Sequence, residues 1–326
     1  KGEQSAYRDW FYGLTYPVMR PEDPEEYPGY ECFGYERMMP KLNLANPETA
    51  EYFCKVGRYW VEKFHIDGWR LDVASEINDG FWRKFRESVK SVDPNAILIG
   101  EVWESAAHWL DGTMFDSTMN YTFSYLCRDF FGKGELSVSE FDAQMQRMIY
   151  RYPWQVSLAQ MNFLDSHDIP RFLSYCNGNR KRMELAFFYL FMGVGVPSVF
   201  YGDEVYIDGT EESEYRAAMD WQRASGQSDE TEPQSLLPYQ DNLIGKFKEW
   251  IALRREHPAL RRGNYRTIYC NDVTGVYTFS RCYEEDRVLV VLNTGPDKVE
   301  LTSAEIQELQ EKNIELSPYE GRLVAF

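Results

Sequence analysis

Asp72, Glu101 and Asp168 each stand at or just after the end of a short apolar run. The segments are Ile66-Asp-Gly-Trp-Arg-Leu-Asp72, Ile97-Leu-Ile-Gly-Glu101-Val-Trp103 and Phe163-Leu-Asp-Ser-His167-Asp168. Carboxylates presented from successive strand ends suit a reaction in which positive charge develops, and cleavage of a glycosidic bond is one. Period two along a strand puts Arg70 and Asp72 on one side and Leu71 and Val73 on the other. The guanidinium would hold the Asp72 carboxylate ionised and oriented, as a nucleophile requires. Glu101, close to Trp103, is placed for the partial desolvation that raises a carboxyl pKa and suits a general acid. His167 and Asp168 are polar groups at a strand end, placed to hydrogen-bond sugar hydroxyls. Taken singly, each segment reads as well as a structural ion pair or a solvated acid. Their recurrence at the carboxyl ends of consecutive parallel strands, where α/β barrels carry their active sites, favours function. A retaining mechanism needs two carboxyl groups about 5–5.5 Å apart and an inverting one a wider gap; the sequence leaves both open.

The elements that must position these acids follow from periodicity. Asn46-Pro47 is a helix start, and the helix runs to about Phe64 with Tyr52, Val56, Tyr59 and Trp60 on one face. Strands are expected over 66–73, 96–102, 114–116, 160–164 and 197–201. Helices are expected over 79–92, after a cap at Ser139, over 181–192 and over 242–257. Short apolar strands alternating with helices imply a parallel sheet covered by helices. After Gly263 the pattern changes to alternation, with strands expected over 274–281, 287–293 and 314–326. The expected organisation is an irregular segment over 1–42, an α/β part over 43–263 and a small all-β domain over 264–326.

The bulk properties narrow the partners. A formal charge of -17 over 326 residues argues against nucleic acid and anionic membranes, since phosphate binding needs clustered Lys and Arg. Neutral ligands fit better, and an aromatic content of 16% supplies faces that stack on sugar rings, although most of these residues serve as core and surface filler. Six scattered cysteines without a CxxC pair and four scattered histidines predict neither a metal site nor a cofactor. Reduced thiols of a cytoplasmic protein are the expected state. Nothing over Lys1–Trp10 resembles a signal peptide.

Gly68-Trp-Arg-Leu-Asp-Val-Ala74, Gly100-Glu-Val-Trp103 and Leu164-Asp-Ser-His-Asp168 resemble, in order and spacing, three conserved regions of the α-amylase superfamily of glycoside hydrolases. Met39-Pro-Lys-Leu-Asn43 is similar to the motif that ends this family's inserted subdomain B. Asp72-Val-Ala-Ser-Glu76, Tyr201-Gly-Asp-Glu204 and Leu253–Gly263 are similar to the neopullulanase, cyclomaltodextrinase and maltogenic amylase branch. The resemblance implies a (β/α)8 TIM-type barrel, represented here by about strands 4–8, followed by a small antiparallel β-sandwich. It implies retaining hydrolysis of α-1,4-glucosidic bonds in maltooligosaccharides, cyclodextrins, starch or pullulan, with transglycosylation as an accompanying outcome. By the same resemblance Asp72 is the nucleophile, Arg70 its partner, Glu101 the general acid/base and Asp168 the acid that grips the distorted sugar. His167, Glu76 (on the acceptor side), Trp103 and Lys41 are the implied substrate-binding residues. Relatives that bind calcium do so through residues with no counterpart here.

Some positions depart from the pattern. Ser75 replaces an Asn, Ile169-Pro170 replaces Thr-Ala, and Gly209-Thr-Glu-Glu-Ser-Glu-Tyr-Arg216 differs from the usual Asp-Pro-x-x-Arg. The family's first conserved region, an Asp followed by Asn-His, is absent. The chain is therefore expected to be the carboxyl-terminal part of a longer enzyme, weak or inactive alone, with open strand edges that self-associate or take up the missing half. Two other readings stay open: a non-catalytic glycan-binding or scaffold relative, and a disaccharide isomerase or phosphorylase of the same superfamily.

Overall fold

In the computed structural model, the proline- and tyrosine-rich start of the chain forms two single-turn 3-10 helices and an antiparallel pair of strands, β1 (Cys32–Phe33) and β2 (Glu36–Pro40). The structure describes residues 1–23, 25–34, 36–221, 224, 243–310 and 313–326. They fall into two units, Lys1–Met119 and Asn120–Phe326.

In the first unit, Asn46 caps α1 (Pro47–Phe64), its side chain accepting the Glu48 and Thr49 amides at 2.9 and 3.3 Å. The buried face of α1 is not the one read from the sequence. Tyr52, Tyr59 and Trp60 are exposed, whereas Ala50, Cys54, Gly57 and Val61 are buried. The reason is steric. A Cβ at Gly57 would lie 2.5 Å from the Phe85 ring, so glycine at this position lets α2 (Asp79–Lys90) pack closely. Phe81, Phe85 and Val89 of α2 are buried, as their spacing predicts. The strands β3 (Gly68–Leu71), β4 (Ile97–Gly100) and β5 (Ser117–Thr118) form a parallel sheet in that order. Gly68 is needed where β3 meets β4, because a Cβ there would lie 2.0 Å from the Ile97 carbonyl oxygen. The third strand begins later than the 114–116 expected. Phe115 donates its amide back to Trp109 O, and Asp116 turns its carboxylate to Arg86, Lys90 and the Leu98 amide, so pairing starts at Ser117.

In the second unit, α3 (Tyr121–Cys127), α4 (Val138–Ile149), α5 (Trp154–Ala159), α6 (Phe172–Tyr175) and α7 (Arg180–Met192) accompany a parallel pair, β6 (Met161–Asn162) and β7 (Val196–Pro197). The cap of α4 is Ser137, not Ser139: Ser137 and Glu140 form a reciprocal capping box, and Ser139 bonds Asp272 instead. The strand expected over 197–201 is shorter, covering Val196–Pro197. Beyond it come α8 (Glu212–Tyr215), α9 (Leu243–Glu256) and α10 (Pro258–Arg262). α9 matches the helix expected over 242–257, with Asn242 outside the described residues.

The C-terminal sheet runs β13 (Glu320–Ala325), β10 (Asp286–Asn293), β9 (Val276–Tyr283), β8 (Arg266–Asn271), all antiparallel. Period two divides β10 cleanly. Val288, Val290 and Leu292 join the helical core with Phe141, Tyr189 and Phe279. Leu289 and Val291 face β11 (Val299–Leu301) and β12 (Ile314–Leu316), packing with Leu301, Ile314 and Leu316. The single strand expected over 314–326 is thus two, in different sheets, parted at Ser317–Tyr319, where Tyr319 takes a left-handed φ of 56°. No helix among the described residues is long and apolar enough to cross a membrane.

Candidate active site

The β3–β4 ladder continues past both strands. Leu71 pairs with Gly100, the Glu101 amide donates to Leu71 O at 2.9 Å, and the Ala74 amide donates to Glu101 O at 3.0 Å. This register sets Asp72 and Glu101 on adjacent strand ends. Between them Val73 adopts φ 40° and ψ 50°, a left-handed conformation that is an outlier for a β-branched residue and costs on the order of 1–3 kcal/mol. The turn aims the Val73 N–H at Glu101 Oε2, 2.7 Å away. It is held from behind by the Trp82 indole, which donates to the carbonyl of the fully buried Ala74 at 2.9 Å.

Glu101 is 3% exposed. Besides the Val73 amide, its Oε1 accepts the Trp103 indole N–H at 3.2 Å and lies 2.9 Å from Arg70 Nη2, an ion-pair contact without hydrogen-bond alignment. The other arm of the same guanidinium, Nη1, donates to Asp72 Oδ1. Asp72 is the opposite of Glu101 in accessibility, with 71% of its side chain exposed. One arginine thus bridges an open carboxylate and a buried one. An open carboxylate is free to attack a ligand, and a buried one is held in a fixed orientation beside it.

Lys41 and Glu76 form a half-buried ion pair at 3.2 Å. They line a cavity of about 530 Å³ together with Tyr12, Glu31 and Asn78. That volume is in the range of small-molecule sites.

In the second unit, His167 Nε2 lies 3.1 Å from Asp168 Oδ2, and Arg216 Nη2 donates to Asp168 Oδ1 at 3.0 Å. Arg216 also pairs with Glu212 at 3.2 Å. The structure therefore joins Arg70, Asp72, Glu101 and Trp103 in one group, Lys41 and Glu76 in a second, and His167 and Asp168 in a third. Arg216 was not singled out from the sequence, although the stretch it closes stood out as a departure. The Val73 amide carries no side-chain signal and was legible only from the backbone.

The sequence matches the model described as alpha amylase, catalytic domain, over residues 4–236. The chain belongs to the alpha-amylase family. Among its relatives in that family, neopullulanase 2 of Thermoactinomyces vulgaris is 39% identical over 91% of this chain and 48% of that protein. A cyclomaltodextrinase of Geobacillus thermopakistaniensis is 36% identical over 92% of this chain and 48% of that protein. A solved structure of the cyclic alpha-maltosyl-(1→6)-maltose hydrolase of Arthrobacter globiformis aligns with a TM-score of 0.87 at 30% identity, covering 99% of this chain and 69% of that one. The chain spans about half the length of the curated relatives it matches. The fold class is the one expected from the sequence, part of an alpha-amylase barrel followed by a small antiparallel β-sandwich.

Proposed function

We propose that this chain carries the catalytic acids of a retaining α-glucan hydrolase acting on α-1,4 bonds in maltooligosaccharides, cyclodextrins, starch or pullulan. The observation that carries the reading is the single Arg70 guanidinium holding exposed Asp72 and buried Glu101 side by side. Retention requires two carboxyl groups about 5–5.5 Å apart, one attacking the sugar and the other serving the leaving oxygen. Asp72 attacks, and its partner Arg70 orients it. Glu101 protonates the leaving oxygen and later activates water or, in transglycosylation, an acceptor hydroxyl. Asp168 and His167 hold sugar hydroxyls, with Arg216 fixing the Asp168 carboxylate. Trp103, Lys41 and Glu76 contact neighbouring sugar units. Residues 1–42 are taken as the remainder of the inserted subdomain, 43–263 as the barrel part and 264–326 as the sandwich. The compartment we propose is cytoplasmic, in keeping with six free thiols.

The test supplies the chain with a polypeptide corresponding to the part of the Thermoactinomyces vulgaris neopullulanase that it does not match. Sugar release is then followed from maltotriose, cyclodextrin, pullulan and sucrose. The reconstituted pair is expected to hydrolyse α-glucans, and the chain alone to show little or no turnover. Asp72→Asn is expected to bring turnover to background while shifting stability by no more than about 1 kcal/mol, because its ion pair is largely solvated. Glucan binding without Asp72-dependent turnover in the reconstituted pair would support the scaffold reading. Isomerised or phosphorylated products would support the third.

Two strand edges support the proposed association with a second copy or with a completing polypeptide. Among the described residues β3 pairs only with β4, and β7 pairs only with β6. Val196 of the edge strand β7 is exposed, and in the other unit Ile97 of β4 and the α1 residues Tyr52, Tyr59 and Trp60 are exposed as well. Open apolar edges recruit partners. Light scattering of the chain alone is expected to report species above 38.4 kDa. A monodisperse monomer would count against association of the chain with itself.

A further inference from the structure

The loop that carries His167 and Asp168 stands on a buried cluster containing one carboxyl too many. Arg171, Asp203 and Asp165 are 0%, 1% and 2% exposed. Asp165 Oδ2 accepts the Phe172 amide at 2.6 Å, closing the loop 165–172 on itself. Arg171 Nη1 donates to Tyr201 O at 2.7 Å and lies 3.4 Å from Asp203 Oδ1, and its guanidinium covers the Phe200 ring at 4.0 Å. The Arg171 amide donates to Gly209 O at 3.0 Å. Both stems of the loop are thus tied into the 200–209 segment, and His167 and Asp168 sit at its crown.

The charges do not balance. Two carboxylates face one guanidinium where water does not reach, and burying an uncompensated charge is costly. Asp165 Oδ1 and Asp203 Oδ2 have no N–H or hydroxyl donor, yet the two side chains are within hydrogen-bonding reach of each other. Two carboxylates cannot bond one another unless a proton lies between them. The other titratable groups nearby do not supply it. Glu204 accepts the Gly202 amide at 2.7 Å, and burial keeps Tyr175 of α6 and the adjoining Cys176 neutral, so none of the three offsets the second carboxylate, and none donates to Asp165 Oδ1 or Asp203 Oδ2. Among the described residues neither Arg128 nor Arg182 forms an ion pair with either acid, and Arg128 pairs with Asp129 at 2.8 Å.

We propose that Asp165 and Asp203 share one proton, carried on Asp203 and donated to Asp165, and that with Arg171 they form a neutral knot that positions the Asp168 loop. Asp165 is the ionised member, because it accepts the short Phe172 N–H bond. Asp203 is the protonated member: burial and the neighbouring Asp165 push its carboxyl well above the usual range. Asp165, Asp203 and Arg171 are positioning residues and do not contact sugar. Only the functional meaning of the loop rests on the hydrolase reading.

Infrared spectroscopy of the folded chain, grown with carboxyl-labelled aspartate, tests the proton directly. At neutral pH the spectrum is expected to contain an isotope-sensitive band from a buried carboxylic acid, and Asp203→Asn is expected to remove it. Its absence from the wild-type spectrum would overturn the proposal even if no variant folds. Linkage gives a second readout. The folded pKa of Asp203 is raised above the unfolded value of about 3.9, so its contribution to stability is full below that value and is lost as pH rises through the folded pKa. Across that window the wild-type unfolding constant should rise by up to tenfold per pH unit relative to Asp203→Asn. Parallel pH profiles would refute the shared proton. The His167 ring resonance should move with the same transition that removes the infrared band as pH rises. A His167 signal indifferent to that transition would refute the positioning role. None of these measurements uses a glucan, so they fail or succeed independently of the hydrolase proposal.

Discussion

Glu101→Gln is expected to lower kcat for maltotriose in the reconstituted enzyme by about 10²–10⁴-fold, the usual worth of a general acid–base group. The same substitution is expected to destabilise the folded chain by about 1–3 kcal/mol. Both effects come from the environment of the side chain. Its two oxygens are met by the Val73 amide, the Trp103 indole and the Arg70 guanidinium, all of them donors. A glutamine amide turns an NH2 group toward a donor in either orientation, and at 3% exposure water cannot relieve the conflict. Asp72→Asn provides the contrast, since its side chain is mostly solvated and its loss should remove turnover with little change in stability. Urea denaturation together with kcat separates the two outcomes. A Glu101→Gln chain with wild-type midpoint and turnover would remove Glu101 from the mechanism and the Arg70 bridge from the argument.

Arg281→Met is expected to cost about 3–5 kcal/mol, the largest stability effect of any substitution we anticipate. Arg281 is fully buried and, among the described residues, has no carboxylate partner. Its Nε donates to Asn264 O at 2.7 Å, Nη1 to Met192 O and Gly193 O at 3.1 and 2.7 Å, and Nη2 to Gly263 O at 3.0 Å. The Met192 and Gly193 carbonyls lie at the C-terminus of α7, where the helix dipole is negative and its last acceptors lack partners. Burial pulls the guanidinium down to about 9, which still leaves it cationic at neutral pH. Arg254 serves the same turn from α9, donating to Phe191 O at 2.8 Å and to Gly195 O. Methionine fills similar volume but takes the guanidinium donors from Asn264 O, Met192 O and Gly263 O, while Gly193 O keeps Arg254 Nη1 at 3.3 Å. Arg287→Met, at an exposed position of the neighbouring strand, should change stability by no more than about 0.5 kcal/mol. Equal denaturation midpoints for the two variants would show that the carbonyls find other donors.

The legible parts of the chain were those in which neighbours in sequence decide the structure. Asn46-Pro47 starts a helix because the Asn side chain caps amides two and three residues on and proline needs no amide partner at that place. Phe81, Phe85 and Val89 are buried because four-residue spacing puts them on one face of α2. The same periodicity misled at α1, where a larger aromatic face lay opposite the one that packs. The choice there belonged to Gly57, whose missing side chain matters only beside Phe85. Ser139 had the right chemistry for a cap, but Ser137 has Glu140 three residues on to complete the box, and Ser139 is taken by Asp272 from the C-terminal sheet.

By itself the sequence determined the family, the alternation of strands and helices, and the placing of Asp72 and Glu101 at strand ends, since all of these are written in short motifs and local periods; Asp168, expected at a strand end, lies on a loop six residues beyond Asn162, the last residue of β6. Only the tertiary structure decided what surrounds each acid. A carboxylate's burial and donors come from residues far along the chain, 48 positions away for Arg216 on Asp168 and 32 for Arg171 on Asp203, and from backbone amides such as that of Val73, which leave no mark in a side-chain pattern. Three acids of similar appearance in the sequence therefore occupy three environments, with Asp72 open to water, Glu101 enclosed by donors, and Asp168 raised on a loop whose base is a buried knot of charge.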